Sequence, residues 1–427
     1  MTPAISCKSC DQLQAYATSL VQDTLRRISA PVKLVSRIND TKEVLYDNST
    51  TPDIDKAAIY INHVNFWRRM LSDFDLGFAE AYILQEVDCD KLGKMFDVYI
   101  QNRATFDSGS SIFQFLHQIS QWWRPRNNIQ NARTNIAAHY DTLNGLFINF
   151  LSEDMNYSCA YWSNDPTELL HTTQRRKIHY MVKKARVRPD HHLLDIGCGW
   201  GDLIIEAARL TGCQATGITL SEEQKSLADE RIRNSGLQDR VRVLLCDYRN
   251  APRPENGYDQ IISVGMFEHV GPQYLDQYFE VISGLLNPKN GVMVIDGITK
   301  IHSFHESNPQ VGDYIDRYVF PGGYLPTPNI LFGSLHRGSE GTLEVSSTLL
   351  ALRDNFVSHW KNIRVDFCTR HHGVSKMDIE AYRRRWLYYF EYCETGFRNR
   401  ILGNYTICAV RTPELDVNYG TLDIHDV

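Results

Sequence analysis

The chain of 427 residues contains no run of about 18 apolar residues, the length that a membrane-spanning helix needs. Its amino terminus, MTPAISCKSCDQ, also lacks the apolar core of a secretory signal. These two absences predict a cytoplasmic protein. Peripheral contact with a membrane surface stays open, because the basic clusters RRK at 175–177 and RRR at 383–385 suit anionic headgroups. Such clusters are equally typical of solvated helix faces.

A disulfide framework, a metal motif and an excess of positive charge are also lacking. The ten cysteines are scattered along the chain, which is typical of reduced thiols. Cys7 and Cys10 form a lone CxxC without the second pair that a structural zinc site needs, so we expect no metal. The formal net charge of -6 argues against a nucleic-acid partner, because phosphate binding requires a basic surface.

The sequence does contain enough apolar material for two hydrophobic cores. Hydrophobic residues make up 43% and charged residues 22%, an ordinary balance for a globular protein whose length exceeds that of one typical domain. The stretch QWWRPRNNIQNAR at 121–133 combines proline, asparagine and arginine, which predicts a linker. We therefore expect an accessory domain over residues 1–125 and a second domain over residues 126–427.

From residue 187 onward, strand-like and helical segments alternate. Runs such as HLLDIG, CQATGITL, VRVLLCD and YDQIISVG are separated by helical patterns, which predicts a parallel sheet with crossover helices. The expected fold class is α/β, with a doubly wound, Rossmann-like domain and a smaller amino-terminal accessory domain.

The segment LLDIGCGWGDL at 193–203 joins an apolar strand to a helix through three glycines. Glycine allows a tight turn there and lets backbone N–H groups approach a ligand at the helix amino terminus. The spacing G-x-G-x-G differs from the G-x-G-x-x-G of dinucleotide sites, and Asp195 precedes the glycines. A carboxylate at that position suits the ammonium group of S-adenosylmethionine, and the CDY stretch at 246–248 suits contacts with adenine. We therefore expect S-adenosylmethionine as the cofactor.

Six motifs follow one another along the chain: YSCAYW, LDIGCGWGDL, TLSEEQ, SVGMFEHVG, DRYVFPGGYLP and RRRWLYYFEYCETGFRNR. Together they resemble the cyclopropane-fatty-acid synthase family, which includes the mycolic-acid cyclopropane synthases. Residues 57–103 also resemble the amino-terminal, lipid-binding-like domain of the phospholipid-acting members. The resemblance implies a methyltransferase that uses S-adenosylmethionine to add a carbon to the double bond of an unsaturated fatty acyl chain. The implied product is a cyclopropane or a methyl branch.

The resemblance also implies which residues hold the methyl donor. Position by position, the motifs carry this role to Tyr157, Ser158, Asp195, Gly197, Gly199, Gly201, Thr219, Ser221, Gln224, Asp247 and Tyr248. In the same family a bicarbonate beside the acceptor is held by a glutamate of FEHVG, a histidine, a tyrosine and backbone groups that include the cysteine of YSCAYW. Glu268 and Cys159 match the first and the last of these positions.

Two of the bicarbonate positions are substituted. Asp296 in VIDGIT stands at the histidine position, and Val345 stands at the tyrosine position. Two unit charges about 4 Å apart repel by roughly 4 kcal/mol at an effective dielectric constant near 20, so we expect bicarbonate to bind poorly. Our hypothesis is that the carboxylates of Glu268 and Asp296 replace it, stabilising a cation and accepting a proton. The alternative is that Asp296 caps a loop or faces solvent.

Cys159 suggests a nucleophile, but its neighbours in sequence do not activate a thiolate, and methyl transfer from a sulfonium needs no covalent enzyme intermediate. We expect it to act through its backbone beside the cation.

A different acceptor also stays open, because the acidic pair would suit C- or N-methylation of a small hydrophobic specialised metabolite or amine without bicarbonate. The expected partners are therefore an unsaturated acyl lipid or such a small acceptor, with a homodimer left open.

Overall fold

The computed structural model describes residues 8–38, 41–102, 144–163, 165, 167–300, 314–320, 322–339, 360–370, 375–398 and 402–410. The predicted linker at 121–133, the predicted boundary after residue 125, Cys7 and Val345 lie outside the described residues. The predictions that concern them stay predictions.

The described residues form helices and strands in both halves of the chain. The helices are α1 (Lys8–Arg27), α2 (Asn65–Ile83), α3 (Leu92–Gln101), α4 (Asn144–Phe150), α5 (Leu170–Lys184), α6 (Asp202–Thr211), α7 (Glu222–Asn234), α8 (Leu275–Leu285), α9 (Tyr314–Tyr318), α10 (Pro328–Gly338), α11 (Trp360–Arg370) and α12 (Lys376–Arg398). The strands are β1 (Val32–Ser36), β2 (Glu43–Asp47), β3 (Ala57–Ile61), β4 (Val87–Cys89), β5 (His192–Ile196), β6 (Gln214–Thr219), β7 (Val241–Leu245), β8 (Gln260–Val264), β9 (Val292–Lys300) and β10 (Leu402–Val410). None of these helices combines the length and the apolar composition needed to cross a bilayer.

The first of two compact units contains the described residues up to Asn102, together with α9, α11 and α12. Its four-stranded sheet has the order β2-β1-β3-β4, in which β1 and β3 are parallel and the two outer strands are antiparallel to their neighbours. Every second side chain of β3 is buried, as expected for a strand with one face on a core. That core includes Leu34 of β1, Trp67 of α2 and Tyr388 of α12.

Helix α12 contributes aromatic and charged side chains to this first core. Tyr388 is buried, and its ring contacts that of Tyr82. Arg384 is only 7% exposed, donates to Asp88 at 2.6 Å and lies 3.9 Å from the centroid of the Tyr82 ring. The middle arginine of the RRR cluster is therefore a core contact and is not available to lipid headgroups.

The second unit is built on a six-stranded sheet with the order β10-β9-β8-β5-β6-β7, which is parallel except for β10. Leu193 and Leu194 are neighbours on β5 and are buried in two different hydrophobic clusters. One cluster contains residues of α5, α6 and α7, and the other contains residues of α8 and α10. Helices thus cover both faces of the sheet, and the predicted doubly wound α/β fold is confirmed.

The strand order reverses beside β5, because the chain continues outward through β6 and β7 on one side and through β8 and β9 on the other. In open α/β sheets a ligand crevice forms at such a switch point, outside the carboxyl ends of the strands. The segments that follow β5, β6, β7 and β8 therefore meet where a ligand is expected.

Candidate functional site

A cavity lies at the carboxyl ends of the central strands, at the switch point of the sheet. Its wall is formed by the segments that follow β5 to β8 and by residues 155–158, which precede α5. Nine of the eleven residues that the sequence assigns to the methyl donor line this cavity: Tyr157, Ser158, Asp195, Gly197, Gly199, Thr219, Gln224, Asp247 and Tyr248.

The other two predicted donor residues, Gly201 and Ser221, are not in the cavity wall. Gly201 precedes α6 with a φ of 83°, and a Cβ atom there would lie 3.1 Å from the Cβ of Ala228 on α7. Ser221 caps α7, since its Oγ accepts the N–H of Gln224 at 3.1 Å. Both residues therefore shape the helix ends that border the cavity.

Asp195 is one of the carboxylates of the cavity wall and is only 2% exposed. Its Oδ1 atom has no hydrogen-bond partner among the described residues. Burial raises the pKa of this carboxyl to about 7, and the nearby amine of Lys177 opposes that shift. A buried carboxylate without a partner is unfavourable, and a cationic ligand offsets that cost. The site therefore fits S-adenosylmethionine, whose ammonium and sulfonium groups are both positive.

Hydrogen bonds hold the polar side chains after β6 and β7 in place. Thr219 Oγ1 donates to Gln224 Oε1 at 2.7 Å, and both side chains are buried. Asp247 accepts hydrogen bonds from Nε and Nη2 of Arg249, each at 2.7 Å. Tyr248, which follows Asp247, is buried as well. Side chains held by hydrogen bonds within the protein lose less conformational entropy when a ligand binds.

Lys177 is a cavity residue that sequence reasoning missed. It is the third residue of the RRK cluster, yet it is 1% exposed, lines the cavity and donates from Nζ to Ser158 Oγ. The spacing of buried residues along α5 could have indicated that Lys177 is buried. Gln174 and Met181 lie three residues before and four residues after Lys177, on the same face of α5, and both are buried.

Glu268 lies in the short turn after β8 and is 8% exposed. Its Oε1 accepts the N–H of Ile298 on β9 at 2.7 Å, whereas its Oε2 is buried without a hydrogen-bond partner among the described residues. Burial raises the pKa of this carboxyl to about 8. Glu268 is therefore mostly protonated at neutral pH until a positive charge comes close to it.

Asp296 is fully buried and does not face solvent, and its Oδ2 accepts from Thr406 Oγ1 at 2.6 Å. The hydroxyl of Tyr161 lies 2.6 Å from the same Thr406 oxygen. Glu268 approaches β9 from the other face, because a Cβ atom at Gly297 would lie 2.7 Å from Glu268 Oε1. Successive residues of a strand point to opposite faces, so the carboxyls of Glu268 and Asp296 flank β9 and do not face each other.

These groups do not fit a bicarbonate ion. The N–H of Ile298 is bonded to Glu268, and the hydroxyl of Thr406 is bonded to Asp296. The two carboxyls lie on opposite faces of β9, so they do not form one site for the ion, and neither offers it a positive charge. The chemistry proposed below needs no bicarbonate.

Cys159 is partly buried, forms no disulfide with a described residue and does not line the cavity, although its neighbour Ser158 does. The backbone before it is anchored, because Nε2 of Gln174 donates to the carbonyl oxygen of Ser158 at 2.7 Å and to that of Asn156 at 3.3 Å. In the part of the chain that the structure describes, no group of three histidine, cysteine or acidic side chains is arranged to hold a metal ion.

Similarity to known proteins extends over nearly the whole chain. It is 31% identical over 422 residues to the tuberculostearic acid methyltransferase of Mycobacterium tuberculosis, a match that covers 96% of this chain and 95% of that protein. It is 30% identical over 362 residues to the cyclopropane-fatty-acyl-phospholipid synthase of Escherichia coli, covering 81% of this chain and 85% of that protein. The structure of a mycolic acid cyclopropane synthase complexed with SAH and CTAB is 26% identical, and the match covers 68% of this chain and 100% of that chain, with a TM-score of 0.53.

A family model also relates this chain to the cyclopropane synthases. The model described as mycolic acid cyclopropane synthetase matches residues 127–407, which is more than half of the chain. The matched range includes every residue that lines the cavity, as well as Glu268 and Asp296. This chain therefore belongs to the mycolic acid cyclopropane synthetase family.

Proposed function

We propose that this protein transfers a methyl group from S-adenosylmethionine to the double bond of an unsaturated fatty acyl chain, giving a cyclopropane or a methyl-branched product. The observation that carries the proposal is the cavity in which nine of the predicted donor residues meet, and which the turn that carries Glu268 also lines through Met266 and His269. Family membership supports the acyl acceptor, because the relatives are named for a fatty-acyl phospholipid and for tuberculostearic acid.

The cavity wall would hold the methyl donor. Asp195 offers a carboxylate to its positive charge, Thr219 and Gln224 present fixed polar atoms, and Asp247 and Tyr248 provide the acidic and aromatic pair expected for adenine. When bound, S-adenosylmethionine supplies an electrophilic methyl group on a sulfonium centre. The residues of this chain orient that group and exclude water from it.

We assign to Glu268 the role of stabilising the carbocation that forms on the acyl chain. Transfer of the methyl carbon to one alkene carbon would break its bond to the sulfonium sulfur, which keeps that electron pair, and would leave the other alkene carbon positively charged. Loss of a proton from the added methyl group then closes the ring, with the C–H electron pair forming the new bond. A buried carboxylate both stabilises such a charge and accepts the proton. The approaching cation lowers the raised pKa of Glu268 and makes its carboxylate available.

Asp296 and Cys159 complete the proposed catalytic set. The carboxyl of Asp296 lies across β9 from that of Glu268 and is held by Thr406, so it acts as a second, more distant negative group. Cys159 contributes its backbone, since its thiol has no part in a reaction that forms no covalent enzyme intermediate. A Cys159→Ser variant should therefore keep substantial activity.

The experiment that tests the proposed function uses methyl-labelled S-adenosylmethionine. The purified protein is incubated separately with vesicles of a monounsaturated phospholipid, with a free monounsaturated fatty acid and with a panel of amines. We expect label in the lipid fraction and a mass increase of the acyl chain, which mass spectrometry then resolves into a ring or a branch. Label that enters only a polar product would overturn the acyl proposal in favour of a small hydrophobic metabolite or amine.

The finer parts of the proposal concern the form of the acceptor. The vesicle and free-acid reactions distinguish a membrane phospholipid from a soluble acyl chain. Peripheral contact with a membrane is tested by sedimentation of the protein with anionic vesicles. The formation of a homodimer stays a prediction, and light scattering tests it by measuring the molar mass in solution.

A further inference from the structure

The cavity wall at residues 156–158 is held by one face of α5. Nε2 of Gln174 donates to the carbonyl oxygens of Ser158 and Asn156, and Nζ of Lys177 donates to the hydroxyl oxygen of Ser158. Gln174 and Lys177 are one helical turn apart, and neither is exposed to solvent. Two side chains of α5 thus fix both the backbone and the side chain of Ser158.

Stability does not account for a lysine at this position. Lys177 is 1% exposed, and the neighbouring buried residues Ile178 and Met181 on α5 are apolar. Burial lowers the pKa of its amine, and the carboxylate of Asp296 opposes that shift. A methionine has nearly the same length and would fill the space without the cost of burying an ionisable group. The amine is therefore explained by what it does to Ser158.

The direction of the hydrogen bond decides that effect. Because the Nζ of Lys177 donates to Oγ of Ser158, the hydroxyl hydrogen of Ser158 points away from the lysine. Ser158 and Lys177 both line the cavity. The hydroxyl is thereby left as a donor to an acceptor atom within the cavity, and the carboxylate of the methyl donor is a group of that chemistry.

We propose that Lys177 is a positioning residue for the methyl donor, which holds the Ser158 hydroxyl so that it donates into the cavity. This inference rests on the proposed function of the cavity. It assigns to the third residue of the RRK cluster a role in donor binding in place of contact with lipid headgroups.

The test compares Lys177→Met with Lys183→Met, the same substitution at an exposed position of α5. Titration calorimetry of the full-length protein measures Kd for S-adenosylmethionine and for S-adenosylhomocysteine, and steady-state assays measure KM for the acyl lipid. We expect Lys177→Met to weaken donor binding about tenfold, as for the loss of a charge-assisted hydrogen bond. For Lys177→Met we expect a Tm no lower than that of the wild type and an unchanged lipid KM, and for Lys183→Met we expect unchanged values throughout.

A double-mutant cycle with Ser158→Ala separates positioning from a general structural effect. If Lys177 acts through Ser158, the double variant binds the donor no more weakly than Ser158→Ala alone. Full additivity, a wild-type Kd for Lys177→Met, or a lowered Tm accompanied by an equal loss of lipid affinity would each overturn the inference. Failure of the wild-type protein to bind S-adenosylmethionine would instead overturn the proposed function itself.

Discussion

Three of the buried ionisable side chains in or next to the cavity wall are Asp195, Lys177 and Glu268. Burial raises the pKa of Asp195 to about 7 and that of Glu268 to about 8, and it lowers the pKa of Lys177. The cause is the same in each case, because the charged form loses its hydration. A cationic ligand therefore changes the protonation of this site, and variants of single residues should report that change.

Replacement of Glu268 by glutamine tests its assignment to the cation. Glutamine keeps the volume and an oxygen that accepts from Ile298, but it carries no charge and accepts no proton. We expect kcat to fall by about 10²–10⁴-fold while Kd for S-adenosylmethionine changes little. Glu280→Gln on the exposed face of α8 is the matched control and should behave as the wild type. Full turnover by Glu268→Gln in the labelling assay would contradict the assignment.

The pH dependence of the wild-type protein follows from the same carboxyl. Glu268 acts in its ionised form, so kcat/KM should rise with pH until about 8 and then level off. The effect on stability has the opposite direction. Because the folded-state pKa is raised, the fold favours the protonated form, and stability falls as pH rises from about 4.3 toward 8.

Glu268→Gln removes that dependence, which gives the pH prediction its control. At pH 8.5 the variant should have a higher Tm than the wild type, and at pH 4 the two should agree. Thermal unfolding followed by circular dichroism measures both. Equal pH slopes of Tm in the two proteins would show that Glu268 does not titrate as expected.

At the scale of secondary structure, the contact between the start of α6 and the side of α7 shapes the donor loop. Gly201 has a left-handed backbone, and a Cβ atom there would lie 3.1 Å from the Cβ of Ala228, closer than side chains normally pack. Ser221 caps α7 next to Thr219, whose hydroxyl is bonded to Gln224. The two helix ends and the strand ends before them thus form one continuous border of the cavity.

Gly201→Ala should disturb this border through both the backbone and the contact. The left-handed conformation costs a non-glycine residue about 1–2 kcal/mol, and the new methyl group meets Ala228 at 3.1 Å. Gly236→Ala is the control, because Gly236 also has a positive φ but open space around it. We expect Gly201→Ala to lose more unfolding free energy in urea than Gly236→Ala does. We expect weaker donor binding only for Gly201→Ala. Equal losses for the two variants would rule out the contact with Ala228.

At the scale of the whole molecule, each unit is completed by segments that lie far apart in the chain. The first unit takes α9, α11 and α12, with Arg384 of α12 bonded to Asp88 and to the carbonyl oxygen of Val87. The second takes β10, where Thr406 pairs with Asp296 of β9. Each unit has its own hydrophobic core.

Arg384→Met should therefore act on the first core alone. The loss of charged hydrogen bonds to Asp88 and Val87 should lower the unfolding free energy by roughly 1–3 kcal/mol. Arg383→Met, next to it and partly exposed, should cost much less. Urea unfolding measures the stability, and calorimetry checks that Kd for S-adenosylmethionine does not change. Weaker donor binding by Arg384→Met would mean that the two units are coupled.

The sequence by itself determined the features that depend on residues close together in the chain. Alternating strands and helices and the glycine loop at 193–203 were predictable, because periodicity and turn chemistry are local properties. Similarity of ordered motifs determined the family. Nine of the eleven residues predicted to bind the donor line one cavity, but the sequence did not separate them from residues such as Ser221, which caps a helix beside it.

Only the tertiary structure decided which distant residues meet. It placed Lys177 in the cavity wall although its cluster resembles a solvated face, and it placed α12 in the first core. It also set Glu268 and Asp296 on opposite faces of β9, where the sequence had suggested a facing pair. The physical reason is that the face on which a side chain lies depends on strand register and helix packing, which residues remote in sequence impose.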